Sequence, residues 1–255
     1  MSGTTRIRNI TLGVGRPKIA VPIIGTNKEE IITQAAKAKD TQPDLIEWRI
    51  DYFEQVMNFS ALQSVGQELR QTIGDIALLT TFRTKNEGGQ IELAHVEDYA
   101  DICQSVLQGK FTDAIDIERF YQDDIVKQIV QLAHQDNVIV IMSNHDFVKT
   151  PSAKDIKQRL LDMIEFGADA AKIAVMPESL ADVLTLMTAT QEASKIANRP
   201  LITMSMGDIG KVSRIAGEVF GSTVTFATVG AASAPGQIPI EHLRQDLIDL
   251  QLDPH

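Results

Sequence analysis

Apolar positions along this chain fall into short runs, and each run is followed by a stretch in which apolar residues recur every three or four places. The run at 18–24 (KIAVPII) precedes helical spacing over 27–39, with Thr26 placed to cap it. The run at 44–51 (DLIEWRID) precedes a helix over 60–73. The run at 76–83 (IALLTTFR) precedes a polar loop at 84–90 and a helix over 91–108. The second half repeats the theme, with strands at 114–117, 138–143, 169–175, 201–205 and 222–228. Their helices lie at 123–134, 152–166, 180–197, 211–220 and 241–250. Ahead of all of them, residues 5–18, with Gly13 and Gly15 near the middle, predict a short hairpin.

Eight apolar runs, each followed by a helix, point to parallel sheet. Eight such units in 255 residues fit a closed (β/α)8 barrel. An open doubly wound sheet is the other architecture that the alternation allows, but no GxGxxG turn follows the first strand. No linker, low-complexity tract or charge block marks a boundary, so the chain is expected to form one domain over 1–255.

In such a barrel the active site sits at the C-terminal ends of the strands. Polar side chains there are the informative ones. On the strand at 44–51, Glu47, Arg49 and Asp51 share one face, because residues two apart point the same way. They are either an internally paired set or contacts for a ligand. Arg83 ends the next strand as a fork for a carboxylate. Glu87 follows in the loop, ahead of Gly88 and Gly89, which let the backbone come close to another group. Asp116 and Glu118 again share a face.

The strand at 138–143 runs into Asn144 and His145, the strongest acid/base candidate of the five histidines. The strand at 169–175 carries a single lysine, Lys172, among alanines, Ile173 and Val175. Either its stem packs and its head reaches water, or it enters the barrel, where desolvation favours a neutral amine able to attack a carbonyl. Met204 and Met206 share a face, as pocket lining or as core filler. Lys211, Ser213 and Arg214 open a predicted helix, a good place for an anion. The small-residue stretch 231–237 suits a mobile lid or a plain flexible turn.

Composition narrows the function. With 34 acidic against 24 basic residues the formal charge is -10, and no basic block stands out. Nucleic acid and anionic membrane surfaces are therefore not the expected partners. An anionic substrate would need a local cationic cluster. Cys103 is the single cysteine, so no internal disulfide is possible, and no metal-ligand spacing such as HExxH or paired cysteines occurs. The chemistry is expected to need neither metal nor cofactor. No signal-like or bilayer-length apolar segment is present, which predicts a soluble cytoplasmic protein.

Six segments together resemble the type I 3-dehydroquinate dehydratase family, in order and over nearly the whole chain. They are EWRID at 47–51, FR at 82–83 with EGG at 87–89, MSNHDF at 142–147, KIAVMP at 172–177, SRIAGEVFGS at 213–222 and ASAPGQ at 232–237. The resemblance implies a (β/α)8 barrel closed at its bottom by an N-terminal β-hairpin, within residues 1–18. It implies dehydration of 3-dehydroquinate to 3-dehydroshikimate in the shikimate pathway, and a homodimer. Lys172 would then form a Schiff base, His145 would move protons, and Glu87 would orient that histidine. Arg214 would pair with the substrate carboxylate. Glu47, Arg49, Arg83, Ser233 and Gln237 would hold the ring hydroxyls and carboxylate, with Met204 and Met206 lining the pocket. The chain departs from many relatives at Pro22, where they have serine, and at Gln90, where they often have glutamate.

Overall fold

A computed structural model describes residues 3–230 and 233–253. The hairpin pairs β1 (Thr5–Ile7) with β2 (Ile10–Leu12) in antiparallel register. Eight parallel strands follow. They are β3 (Lys18–Ile23), β4 (Leu45–Arg49), β5 (Ala77–Thr81), β6 (Ala114–Glu118), β7 (Ile139–Asp146), β8 (Ala170–Val175), β9 (Leu201–Ser205) and β10 (Val224–Thr228). They hydrogen-bond in chain order from β3 to β9, and β10 pairs back onto β3. A two-residue strand, β11 (Ile238–Pro239), lies parallel to β10. The ring closes where β9 meets β10, through a parallel bridge of Leu201 with Ser222 and a bond from Thr223 N–H to the Leu201 carbonyl at 2.8 Å. The expected barrel is therefore the observed architecture.

The sequence reads as continuous apolar runs because these strands are buried on both faces. Outward residues such as Ile46, Leu78, Ile115, Val140 and Ile173 pack under the helices. Inward residues alternate in size around the ring, from Ala20 to Leu45, Ala77, Leu79, Ala114, Ile141, Ala170 and Ile202. Ile7 and Leu12 of the hairpin join this inner cluster with no exposure, so β1 and β2 form the floor. Thr5 ties the floor down, its hydroxyl donating to the Asp169 carbonyl at 2.7 Å.

The helices α1 (Lys28–Asp40), α2 (Phe59–Ile73), α3 (Glu97–Gly109), α4 (Asp123–Gln135), α5 (Ala153–Glu165), α6 (Leu180–Ser194) and α9 (Ile240–Asp249) clothe the strands. Three expectations change. Asn27, not Thr26, caps α1, its side chain accepting from the Glu30 N–H at 3.1 Å. Helix α3 starts at Glu97 rather than 91. Ile91 instead forms a bridge with Thr84, and the Asp98 carboxylate takes the His95 N–H at 2.9 Å, which turns the chain just before the helix. The expected helix over 211–220 is two single turns, α7 (Val212–Ile215) and α8 (Gly217–Phe220). Ser213 bonds the Gly210 carbonyl and the Ser205 N–H with its hydroxyl, and Gly217 packs against Pro17 too closely for any side chain. A helix of four residues has too few aligned peptides to hold an anion by its end.

Candidate active site

Above the apolar floor, the inward positions turn polar. Register sets them side by side: Glu47 lies beside Leu79, Thr81 beside Asp116, Glu118 beside Ser143, and Ser143 beside Lys172. Period-two alternation then points Ser143 and His145 of β7, and Lys172 and Ala174 of β8, into the same barrel mouth. One cavity there is walled by Glu47, Arg49, Arg83, Glu87, His145 and Lys172 on one side. Met204, Met206, Arg214, Phe226, Ser233 and Gln237 wall it on the other. All eleven residues expected from the sequence meet in this cavity.

Lys172 is inside, 4 % exposed, so the alternative of a head in water is set aside. It is not alone there. Its Nζ donates to Asp116 Oδ2 at 3.0 Å, stands 3.7 Å from Glu47 Oε1 and lies 4.9 Å from the centre of the Phe226 ring. Desolvation, the expected source of a neutral amine, does not act on it unopposed. The ammonium has carboxylates beside it, so a base must take its proton before it can attack.

His145 fits that need. Its Nδ1 lies 2.9 Å from Glu87 Oε2, which leaves Nε2 for the cavity, and 11 % of the side chain stays open. Burial first, then the positive charges of Arg83, Lys172 and Arg49, keep the imidazole well below its ordinary value, so it is a neutral base. Glu87 moves the other way. Burial, with Glu118 close by, pushes its carboxyl up to about 8. Its other partners all donate to it: Asn144 Nδ2 at 3.1 Å, the His145 backbone N–H at 2.9 Å and Arg83 Nη1 at 3.5 Å. A carboxyl that keeps its proton up to about 8 thus stands 2.9 Å from a neutral imidazole, close enough for a proton to pass between them. Gly88 and Gly89 serve close approach as expected. At Gly88, with φ +87°, a side chain would press into the Phe147 ring, and at Gly89 into the Arg83 carbonyl. Phe147 in turn stacks on His145 at 6.5 Å and 20°.

The raised carboxyl of Glu87 has a measurable consequence. Between pH 4.5, the ordinary carboxyl value, and about 8, folded Glu87 keeps a proton that the unfolded chain releases. Stability therefore falls as pH rises through that window. His145 acts oppositely, losing stability as pH drops through 6.5, so the fall stands clear between 6.5 and about 8. Urea midpoints of the ligand-free chain should decline across this interval, and Glu87→Gln should flatten the decline. An unaltered slope in the variant would place the proton on another group.

Arg49 pairs with Asp51 by two bonds, at 2.7 and 2.9 Å, rather than with Glu47, whose Oε1 accepts from Thr81 Oγ1 at 2.9 Å. Arg83 is committed to the protein. It donates to Asp116 Oδ1 at 2.7 Å, to Glu118 Oε1 at 2.9 Å and to Ser143 Oγ at 2.9 Å. Arg214 is the exception. Of the four buried cations among the described residues it alone has no carboxylate partner. It donates to the Pro235 carbonyl at 2.9 Å and touches Met204 Sδ at 4.0 Å, and its Nε is unmatched. Burial pushes it down to about 10, the mark of a guanidinium that lacks an anion. Ser233 and Gln237 bond each other at 3.0 and 3.1 Å beside it. Ala231 and Ala232 of the expected lid lie outside the described residues.

Asp116, Ser143, Asn144 and Phe226 also belong to the site, and the sequence assigned them no role. Asp116 and Glu118 showed the same two-apart polar pattern as Glu47 and Arg49, so a signal existed for them. Ser143 shows its place only once β7 is registered on β8. Among the described residues, no group of three or more His, Cys, Asp or Glu is arranged to hold a metal ion.

Comparison with known proteins agrees with this geometry. Residues 19–253 match the family model of type I 3-dehydroquinase. A 3-dehydroquinate dehydratase from Lactiplantibacillus plantarum is 57% identical over 253 residues, which cover 99% of this chain and 100% of that one. The type I enzyme from Clostridium difficile, solved with covalently modified comenic acid, superposes with a TM-score of 0.93 at 48% identity, over 98% of each chain. The 3-dehydroquinate dehydratase from Geobacillus kaustophilus superposes with a TM-score of 0.94 at 35% identity, over 97% of this chain and 96% of that one. On fold, cavity and kinship together, this chain belongs to the type I 3-dehydroquinase family.

Proposed function

We propose that this chain eliminates water from 3-dehydroquinate to give 3-dehydroshikimate, in the shikimate pathway, through an imine on Lys172. The observation that carries the reading is the meeting, in one cavity, of a buried amine with an imidazole held neutral. A carbanion beside a plain ketone is too unstable to form at neutral pH, whereas a protonated imine draws the electrons in. His145 takes a proton from Lys172 as the amine attacks and helps expel the carbonyl oxygen as water. It next removes the proton beside the imine, and the resulting enamine expels the hydroxyl one carbon further on. His145 protonates that hydroxyl as it leaves, and one water then hydrolyses the product imine, which frees the enone and returns the amine of Lys172. Glu87, 2.9 Å from Nδ1, fixes the orientation of the ring and can pass a proton to or from it, so that one imidazole acts as base and then as acid.

Arg214, the buried cation without an acidic partner, takes the substrate carboxylate. Glu47, Arg49, Arg83, Ser233 and Gln237 face the ring hydroxyls and carboxylate. Met204 and Met206 form an apolar wall. Arg83 also fixes the carboxylates beneath the site. Stretch 233–237, tied to Arg214 through Pro235, acts as the lid that excludes water from the imine. The chain works as one domain without a cofactor, the hairpin being part of its core. A homodimer in the cytoplasm belongs to the same reading, by kinship. Covalent capture of comenic acid by the C. difficile relative accords with a covalent route.

The test is ultraviolet absorbance of the enone product from purified protein and 3-dehydroquinate, with borohydride trapping alongside. A rising enone signal and a substrate-dependent mass on Lys172 are expected. Cleavage of a carbon–carbon bond instead would make the chain an aldolase, and turnover without an adduct would end the imine route.

A further inference from the structure

The imine must stay protonated to draw electrons, and an alkyl imine loses its proton readily unless an anion holds it. We propose that Asp116 is the counter-ion that keeps the nitrogen of Lys172 protonated after the imine has formed. This rests on the imine reading above and adds a residue to it.

Geometry singles out Asp116. It sits on β6 with no exposure, below the cavity wall, so it does not touch substrate and no ligand can displace it. Its Oδ2 accepts from Lys172 Nζ at 3.0 Å, the side of the nitrogen away from the cavity. Its Oδ1 is pinned by Arg83 Nη2 at 2.7 Å and Ser143 Oγ at 2.6 Å. Burial alone would raise its carboxyl, but Arg83 and Lys172 overcome burial and hold it at about 2, so it stays ionised throughout the working range. Glu47 is the other carboxylate near Nζ. At 3.7 Å it is beyond hydrogen-bond reach, it opens on the cavity, and Thr81 already occupies the same oxygen.

The other charged groups do not replace it. Arg49 of β4, Arg83 beyond β5 and Arg214 of α7 are cations and disfavour charge on the nitrogen. His145 of β7 is neutral, and Glu87 keeps its own proton up to about 8. Phe226 of β10 offers only its ring face, 4.9 Å away. The proton count is consistent. Of the three protons on the ammonium, two leave with the carbonyl oxygen as water, one of them through His145, and one stays on nitrogen. That last N–H keeps the direction of the present bond to Asp116 Oδ2. It stays on nitrogen when the electrons of the broken carbon–hydrogen bond neutralise the charge to give an enamine, and the charge returns beside Asp116 when the hydroxyl leaves.

The test is the pH profile of kcat for the wild-type chain and for Asp116→Asn, with borohydride trapping of both. An opposite charge within about 4–6 Å moves a proton equilibrium by roughly 1–3 units. Both chains should give the adduct at Lys172, while the alkaline limb of the variant moves about 1–3 pH units toward acid. A mere packing role would lower kcat evenly and leave the limb in place. Superimposable profiles, with adduct in both, would overturn the counter-ion and spare the imine route; no adduct in active wild-type chain would overturn the route itself. Should Asp116→Asn not fold, wild-type chain with 3-dehydroshikimate decides. Its C=N vibration should shift in heavy water even in the alkaline range, and a vibration that does not shift there would overturn the assignment.

Discussion

Lys172→Ala is expected to abolish turnover, with kcat down roughly 10⁴- to 10⁶-fold, the range seen when a covalent enzyme loses its nucleophile. The reason is specific. Among the described residues no other amine lines the cavity, so none of them can turn the ketone into an electron sink in its place. Arg49, Arg83 and Arg214 cannot substitute, since a guanidinium stays protonated and is a poor nucleophile. The variant should still fold, because Asp116 keeps Arg83 and Ser143 as partners and Glu47 keeps Thr81. It should also still bind the ring acid, since Arg214 and the lid residues are untouched. Calorimetry should show affinity within about tenfold of wild type, a change of about 1.4 kcal/mol at most. Equal loss of binding and turnover would make Lys172 a binding residue and remove it from the chemistry.

Much of this was legible from the chain, for reasons that can be stated. The barrel was, because strands buried on both faces appear as unbroken apolar runs, and eight of them alternate with helices. The positions of Lys172 and His145 were, because the one interrupts such a run with a charge, which needs a reason, and the other ends a run at the mouth of its strand. The misses have a common cause in contacts between distant segments. Residues 91–96 keep helical spacing, yet Ile91 is held against Thr84. Residues 211–220 do as well, yet Gly217 is pressed against Pro17 and the helix breaks.

The partners of Lys172 were invisible for the same reason. Spacing along β8 shows a lysine among apolar residues, but it does not show that β6 sends Asp116 beneath it. That depends on the register of β6, β7 and β8 around the ring. Burial was thus one of the two readings that the sequence allowed, and its electrostatic meaning was not legible there. The site is a set of compensated charges with one guanidinium left over.

His145→Ala is expected to lower kcat by about 10²- to 10⁴-fold, the usual worth of a placed acid/base group. The effect should fall unevenly along the reaction. Forming the imine needs one proton removed from nitrogen, which water can accept slowly in an open cavity. Breaking the carbon–hydrogen bond needs a base held at that carbon, and expelling the hydroxyl needs an acid at its oxygen. Both later steps depend on Nε2, so the imine should accumulate. Glu87 would keep the Asn144 side chain and the backbone N–H of residue 145 as partners, so the cavity wall should persist. Quenched samples of the variant should then show, by mass spectrometry, the chain plus substrate less one water, a species that wild-type turnover drains away. A variant with normal turnover would remove His145 from the mechanism. A slow variant without the adduct would move its indispensable step ahead of the imine, to the attack of Lys172 on the ketone, where the ammonium beside Asp116 must first give up a proton.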